Sequence, residues 1–151
     1  MRIDFASDAD LDVMADLLHE LFTLESDFKP ERTKQLAALR WIIAHPAHGR
    51  LFVVREGDRV VGMANALISI STAEGGPALI LEDVILAASH RGKGHGRSLV
   101  DHVLRWAARE GMQRVTLLAD KDNAAALAFY GRLGFEESAM AVRRRWLSSM
   151  P

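Results

Sequence analysis

Cysteine is absent from all 151 residues, which excludes a disulfide scaffold, a thiolate metal site and a cysteine nucleophile. Aromatic residues make up only 7% of the chain and include a single tyrosine, Tyr130, so phenol chemistry has one candidate. Proline occurs four times, and no Pro-, Gly- or Ser-rich stretch or internal repeat divides the chain. Neither sign of charge prevails, with 19 Lys and Arg against 20 Asp and Glu. A chain without a basic excess is a poor match for nucleic acid, and no nucleic-acid partner is expected. No apolar run approaches the ~20 residues that span a bilayer, so no membrane partner is expected either. Met1-Arg2-Ile3-Asp4-Phe5 puts an acid where a signal peptide has its apolar core, and the expected location is cytoplasmic.

What is present suits a folded domain: 49% hydrophobic and 26% charged residues, in a length that accommodates one domain over 1–151. Arg2 to Phe5 alternates as a short strand. Leu11, Met14, Leu17, Leu18 and Leu21 form the apolar stripe of a helix over about Ala9–Phe22. Pro30 opens a second helix that reaches about Ala44, with Leu36, Leu39, Ile43 and Trp41 expected inward. Leu51–Arg55 and Arg59–Ile70 read as strands joined at Glu56-Gly57-Asp58. Ala78–Leu86 is nearly continuously apolar, so burial on both faces, mid-sheet, is expected. A helix over about Gly94–Glu110, a strand Arg114–Ala119, a helix Asn123–Leu133 and a final hairpin Phe135–Trp146 complete a mixed α/β order.

The chemistry concentrates in Leu81-Glu82-Asp83-Val84-Ile85-Leu86-Ala87-Ala88-Ser89-His90-Arg91-Gly92-Lys93-Gly94-His95-Gly96-Arg97. Three glycines in five positions between a buried strand and a helix indicate a backbone that closely approaches a ligand. The first-turn amides of that helix lack intrahelical partners and sit at its positive end, an anion site to which Arg91, Lys93 and Arg97 add charge. A Walker A loop fails because Gly94 follows Lys93 where Ser or Thr is required. The dinucleotide fingerprint fails because Leu99 occupies its third glycine position.

Arg91-x-x-Gly94-x-Gly96 after a buried strand resembles the acetyl-CoA signature of the GNAT superfamily of N-acyltransferases. Asp122-Asn123-x-x-Ala126-x-x-Phe129-Tyr130-x-x-Leu133-Gly134-Phe135 resembles that family's second motif. The resemblance implies a mostly antiparallel central sheet with a splayed pair of parallel strands and helices on both faces. It implies that acetyl-CoA is the co-substrate and a primary amine the acceptor, with a homodimer as one arrangement found among such proteins. By the same resemblance, amides near Val84, Ile85 and Leu86 meet the pantetheine, Gly92, Lys93, Gly94, His95, Gly96 and Arg97 hold the pyrophosphate, Asn123 touches the pantetheine arm, and Tyr130 is the acid.

Acetyl transfer also needs a base, because an amine attacks only when neutral. Glu82 and Val84 share a face if the strand alternates regularly, which makes Glu82 the base candidate and turns Asp83 to the opposite side. Small-amine acetylation is the leading expectation; an acyl-CoA sensor without turnover and a protein-directed transferase are the alternatives. No metal is expected: His45 and His48 flank Pro46, and His95 and His102 lack a third ligand. Arg143-Arg144-Arg145 reads as a solvated strand edge. Glu20, Glu25, Asp27 and Glu31 read as a charged helix exterior, with a contact to a cationic acceptor as the alternative.

Overall fold

Five apolar-patterned segments hydrogen-bond into one sheet in the computed structural model, which describes residues 1–25 and 27–151, the side chain of Ser149 aside. In chain order the elements are β1 (Arg2–Phe5), α1 (Leu11–Leu24), α2 (Arg32–Ala44), β2 (Gly49–Glu56), β3 (Arg59–Ser71), β4 (Gly76–Leu86), α3 (His95–Arg109), β5 (Val115–Leu117) and α4 (Ala124–Arg132). The strands lie side by side in sequence order. β1 to β4 pair antiparallel, and β4 and β5 pair parallel. Met1–Asp120 forms one compact unit and Lys121–Pro151 a second.

Within the first unit, alternation along β2 assigns helices to opposite faces of the sheet. Leu51 and Val53 pack under Met14, Leu17 and Leu18 of α1 and Leu39 and Ile42 of α2. Phe52 points the other way, where the Trp106 ring of α3 meets it edge-on at 5.3 Å. Asp10 fixes the entry to α1: its carboxylate accepts the Ser7 N–H at 2.9 Å and receives Arg55 of β2 at 2.9 and 2.8 Å. No helix among the described residues is long and apolar enough to cross a membrane.

Three expectations are corrected. Trp41 is half exposed and stacks on His45 at 4.0 Å. The inward stripe of α2 is Leu36, Leu39, Ile42 and Ile43, and Trp41 lies two residues from Leu39, nearly across the helix. The strand expected over Arg114–Ala119 is limited to Val115–Leu117. The hairpin expected over Phe135–Trp146 is absent: 135–146 contains no strand among the described residues, and Met140, Val142 and Trp146 are exposed. Alternating Met140 and Val142 imitate a strand, but Glu136-Glu137-Ser138-Ala139 supplies none of the glycine or asparagine that a tight hairpin turn requires.

Candidate active site

The sheet opens into a fork where β4 outruns β5. Their ladder covers only Leu79–Leu81 against Val115–Leu117, whereas β4 continues to Leu86. On its other edge β4 stays bonded to β3, with Gly62 opposite Leu86 and Met63 opposite Ile85. The Ala87 N–H donates to the Val61 carbonyl at 2.8 Å. Because peptide groups alternate sides along an antiparallel strand, Ile85 faces β3 and Leu86 turns its N–H and C=O toward the fork. Of Ile85 and Leu86, both expected to offer amides, Leu86 is therefore the one whose peptide group is presented there. The Ile85 peptide group points away from the fork, and its side chain is buried in the core.

Val84 lies beside a bulge that overturns the expected alternation. Asn65 stands opposite Glu82 and Met63 opposite Ile85, so Ala64 alone faces the two residues between them. Asp83 absorbs the extra residue at φ +52°, a left-handed conformation that aspartate tolerates better than most side chains. The Asp83 carboxylate consequently stays on the Asn65 side and accepts the Asn65 Nδ2–H at 3.2 Å. Asp83 does not turn away from Glu82, contrary to the sequence expectation, because a bulge cancels the two-residue period.

The end of α1 brings a further acid to this place. Glu25 ends α1, its N–H bonded to the Leu21 carbonyl at 3.1 Å. Burial, followed by the charges of Asp83, Asp120, Asp27 and Glu82, pushes its carboxyl up to about 7. Burial also raises Asp83, to about 6, against the opposing hydrogen bond from Asn65 and with reinforcement from Glu82. Carboxyls held near neutrality by desolvation and like charge are suited to exchanging protons with an amine. The sequence reads Glu25 as charged helix exterior, with a contact to a cationic acceptor as the alternative; its one signal is the clustering of acids at the break after α1.

Beyond the fork the chain forms a cradle. Gly92 and Gly94 have φ of +71° and +85°, and a Cβ at either position would meet nothing within 4 Å. Backbone conformation, together with open space above the loop, explains the glycines there. Gly94 caps α3 without any side-chain hydrogen bond. The helical ladder starts with the Ser98 N–H on the Gly94 carbonyl, so the N–H groups of His95, Gly96 and Arg97 have no acceptor within the helix. Lys93 and Arg97 are exposed beside them, Arg97 leaning toward Asp101 at 3.6 Å. This arrangement fits a diphosphate, for which unpaired amides at a positive helix end are the natural partners.

Arg91 is bonded differently from its neighbours. Its Nε–H donates to the Leu86 carbonyl at 2.8 Å, and one Nη pairs with Glu20 of α1. It ties the end of β4 to α1 and to the start of the cradle. His90, which sequence did not single out, is 6% exposed and bonded to Ser89 Oγ and to Glu56 of β2. The turn between β4 and the cradle is thus anchored on two sides.

Glu82, Val84, Ile85, Leu86 and the Arg91–Arg97 segment all belong to the first unit. Asn123 and Tyr130 belong to the second. Asn123 caps α4, its Oδ1 accepting the Ala126 N–H at 3.0 Å. Tyr130 is half-buried, its ring edge-on to Phe129 and Phe135 at 5.1 and 5.7 Å.

Comparison with known proteins gives a family and a fold. A family model described as "Acetyltransferase (GNAT) family" matches residues 12–135. N-acetyltransferase family 8 member 2 of Rattus norvegicus is 32% identical over 92 residues, 61% of this chain and 41% of that protein. A mycothiol acetyltransferase of Amycolatopsis mediterranei is 32% identical over 126 residues, 82% of this chain and 34% of its own length. The chain thus spans less than half of these curated relatives. The solved structure of AAC(6')-Iy in complex with the bisubstrate analog CoA-S-monomethyl-acetylneamine has the same fold, with a TM-score of 0.79 at 22% identity over 96% of this chain and 97% of that one.

Proposed function

The chain belongs to the GNAT family of acetyltransferases, and on that premise we propose that residues 1–151 act as one domain that moves an acetyl group from acetyl-CoA to the primary amine of a small molecule, by direct attack in a ternary complex. The observation that carries this reading is the fork between β4 and β5 leading into an uncapped, glycine-lined helix N-terminus. A thioester arm lying along the open edge would meet the Leu86 amide, as an added strand meets a sheet edge. A diphosphate would rest on the amides of Gly92 to Arg97, with Lys93 and Arg97 beside it. The fork and the cradle follow one another along the chain, as a long cofactor with a charged middle requires.

The remaining roles follow from the chemistry. The acceptor arrives as an ammonium ion and must lose a proton before its nitrogen can attack, to a carboxylate directly or through water. Glu82 and the acids around it supply that capacity. Tyr130 protonates the departing thiolate, and Asn123 touches the pantetheine arm while capping α4. With no cysteine in the chain, no thioester-linked enzyme intermediate arises.

Calorimetry with coenzyme A and thiol release over a panel of primary amines test the proposal. Saturable binding and turnover on at least one amine are expected. Tyr130→Phe should lower kcat by about tenfold or more while acetyl-CoA affinity stays within about twofold. Binding without turnover on any amine would favour a CoA sensor, and no binding at millimolar coenzyme A would refute the proposal.

A further inference from the structure

Among the described residues, Asn65 is the buried polar residue whose bonding is incomplete. It lies on β3, is 6% exposed, and gives its Nδ2–H to Asp83, while its Oδ1 has no hydrogen-bond partner among the described residues. A buried acceptor without a donor costs about 1–3 kcal/mol, and a ligand that donates a hydrogen there removes the cost. The amide stands at the bulge, against the Asp83 carboxylate and opposite Glu82 in register. α1 packs against both β3 and β4 and delivers Glu25 within charge range of Asp83 and Glu82. β3, β4 and the end of α1 thus contribute oxygen acceptors and negative charge to one place.

We infer that the acceptor is a cationic primary amine whose nitrogen binds between Asn65 Oδ1, the Asp83 carboxylate and Glu25, and that Glu25 is the catalytic residue that takes its proton. The inference rests on the acetyl-transfer reading and deepens it by naming the residues that hold the acceptor's nitrogen and by moving the base from Glu82 to Glu25. An ammonium suits the site because its N–H groups donate, which matches an orphaned carbonyl oxygen and carboxylates that only accept.

Glu25 suits the proton-accepting role because of the groups that face it. Asp83 and Glu82 approach from β4, Asp120 from beyond β5 and Asp27 from its own loop, all negative. Arg91, which reaches α1 from the turn after β4, is committed to Glu20 and to the Leu86 carbonyl. In the reaction the ammonium gives one proton to the Glu25 carboxylate. The freed nitrogen pair then attacks the thioester carbonyl carbon, a C–N bond replaces the C–S bond, and the nitrogen loses its second proton. One of the two protons ends on the sulfur and the other in solvent.

The full chain serves for the test. Carbon-detected NMR should show the Glu25 side-chain carboxyl titrating with a midpoint at about 7. Among spermidine, tyramine and glucosamine, the amine turned over best should give a kcat/KM that rises with pH through that same range. Glu25→Gln should abolish the rise, cut kcat/KM near neutral pH by about a hundredfold, and recover as the pH nears the amine's own pKa. Glu82→Gln should keep the rise, and Asn65→Leu should raise KM for the amine by about tenfold with a smaller change in kcat. A Glu25 midpoint in the ordinary carboxylate range, or a Glu25→Gln enzyme with the wild-type pH profile, overturns the inference and leaves acetyl transfer standing. Loss of coenzyme A binding in the wild-type protein brings down acetyl transfer instead, and the Glu25 titration still decides whether the proton site exists.

Discussion

Replacing Arg91 with alanine separates a latch from a phosphate ligand. In the structure its Nε–H satisfies the carbonyl of Leu86, a residue only 7% exposed, and its Nη holds Glu20. Removing the side chain leaves that carbonyl without its donor, at a cost of about 1–3 kcal/mol. The ion pair adds little, because side chains 42% and 38% exposed are screened by water; such pairs contribute roughly 0–1 kcal/mol. A total of about 2 kcal/mol lowers the melting temperature by roughly 4–8 °C in a protein of this size. Arg91→Ala, Glu20→Gln and the double variant, each melted with and without coenzyme A, form a cycle that isolates the pair. The expected result is a clear drop in stability for Arg91→Ala, measurable coupling to Glu20, and a loss of coenzyme A affinity that Glu20→Gln partly reproduces. Unchanged melting with a large loss of coenzyme A affinity and no coupling to Glu20 would refute the latch and make Arg91 a direct ligand of the diphosphate.

The Asp10 carboxylate is 4% exposed; burial works to raise it, but Arg55 and the Ser7 groups outweigh burial and hold it below its ordinary value. Its stabilisation is therefore complete above the unfolded value of about 3.9 and is lost as pH falls through the lower folded value. Asp10→Ala, which takes two hydrogen bonds from Arg55 and leaves it bonded to Asp4, should cost about 2 kcal/mol by urea denaturation near neutral pH. An Asp10→Asn protein with the wild-type acid limb would contradict this account. In the cradle, Gly94→Ala forces a Cβ onto φ +85°, at about 1–2 kcal/mol, and should weaken coenzyme A binding by about tenfold. Gly75→Ala, at φ +74° and also in open space, is the control: a similar melting loss with unchanged coenzyme A affinity. Equal losses of affinity in both variants would detach the glycine conformation from ligand binding.

Much of the fold was legible because burial imposes period. The α1 stripe from Leu11 to Leu21 and the apolar run into Leu86 identify a helix and a central strand without knowledge of their neighbours. Boundaries there fall within a residue or two of expectation because capping is local: Gly94 begins α3, and Gly111, left-handed at φ +80°, follows its end. Trp41 misled because a large aromatic was assumed to seek the core, although the α2 register had already filled the inward stripe with Leu39 and Ile42. The expected last hairpin shows the same limit from the other side. Alternation at Met140 and Val142 is a permissive signal, and without a turn or a partner edge it does not make a strand.

The two halves of the candidate site were unequally readable for a physical reason. An anion cradle is written in consecutive residues, since glycines, a helix start and flanking cations all act through local backbone geometry. The acid side is assembled from α1, β3, β4 and the segment after β5, and its key feature is a single extra residue at Asp83. That residue reverses the facing rule for everything beyond it: Glu82 and Ile85, three apart, stand on the same side through their partners Asn65 and Met63. A strand read as regular sends Asp83 away and makes Glu82 the natural base. Once the bulge is admitted, Asp83 turns toward Asn65 and the negative charge of β4 gathers beneath the end of α1. The left-handed aspartate is uncomfortable on its own, and it is what allows a carboxylate and an orphaned amide oxygen to share one face of the fork.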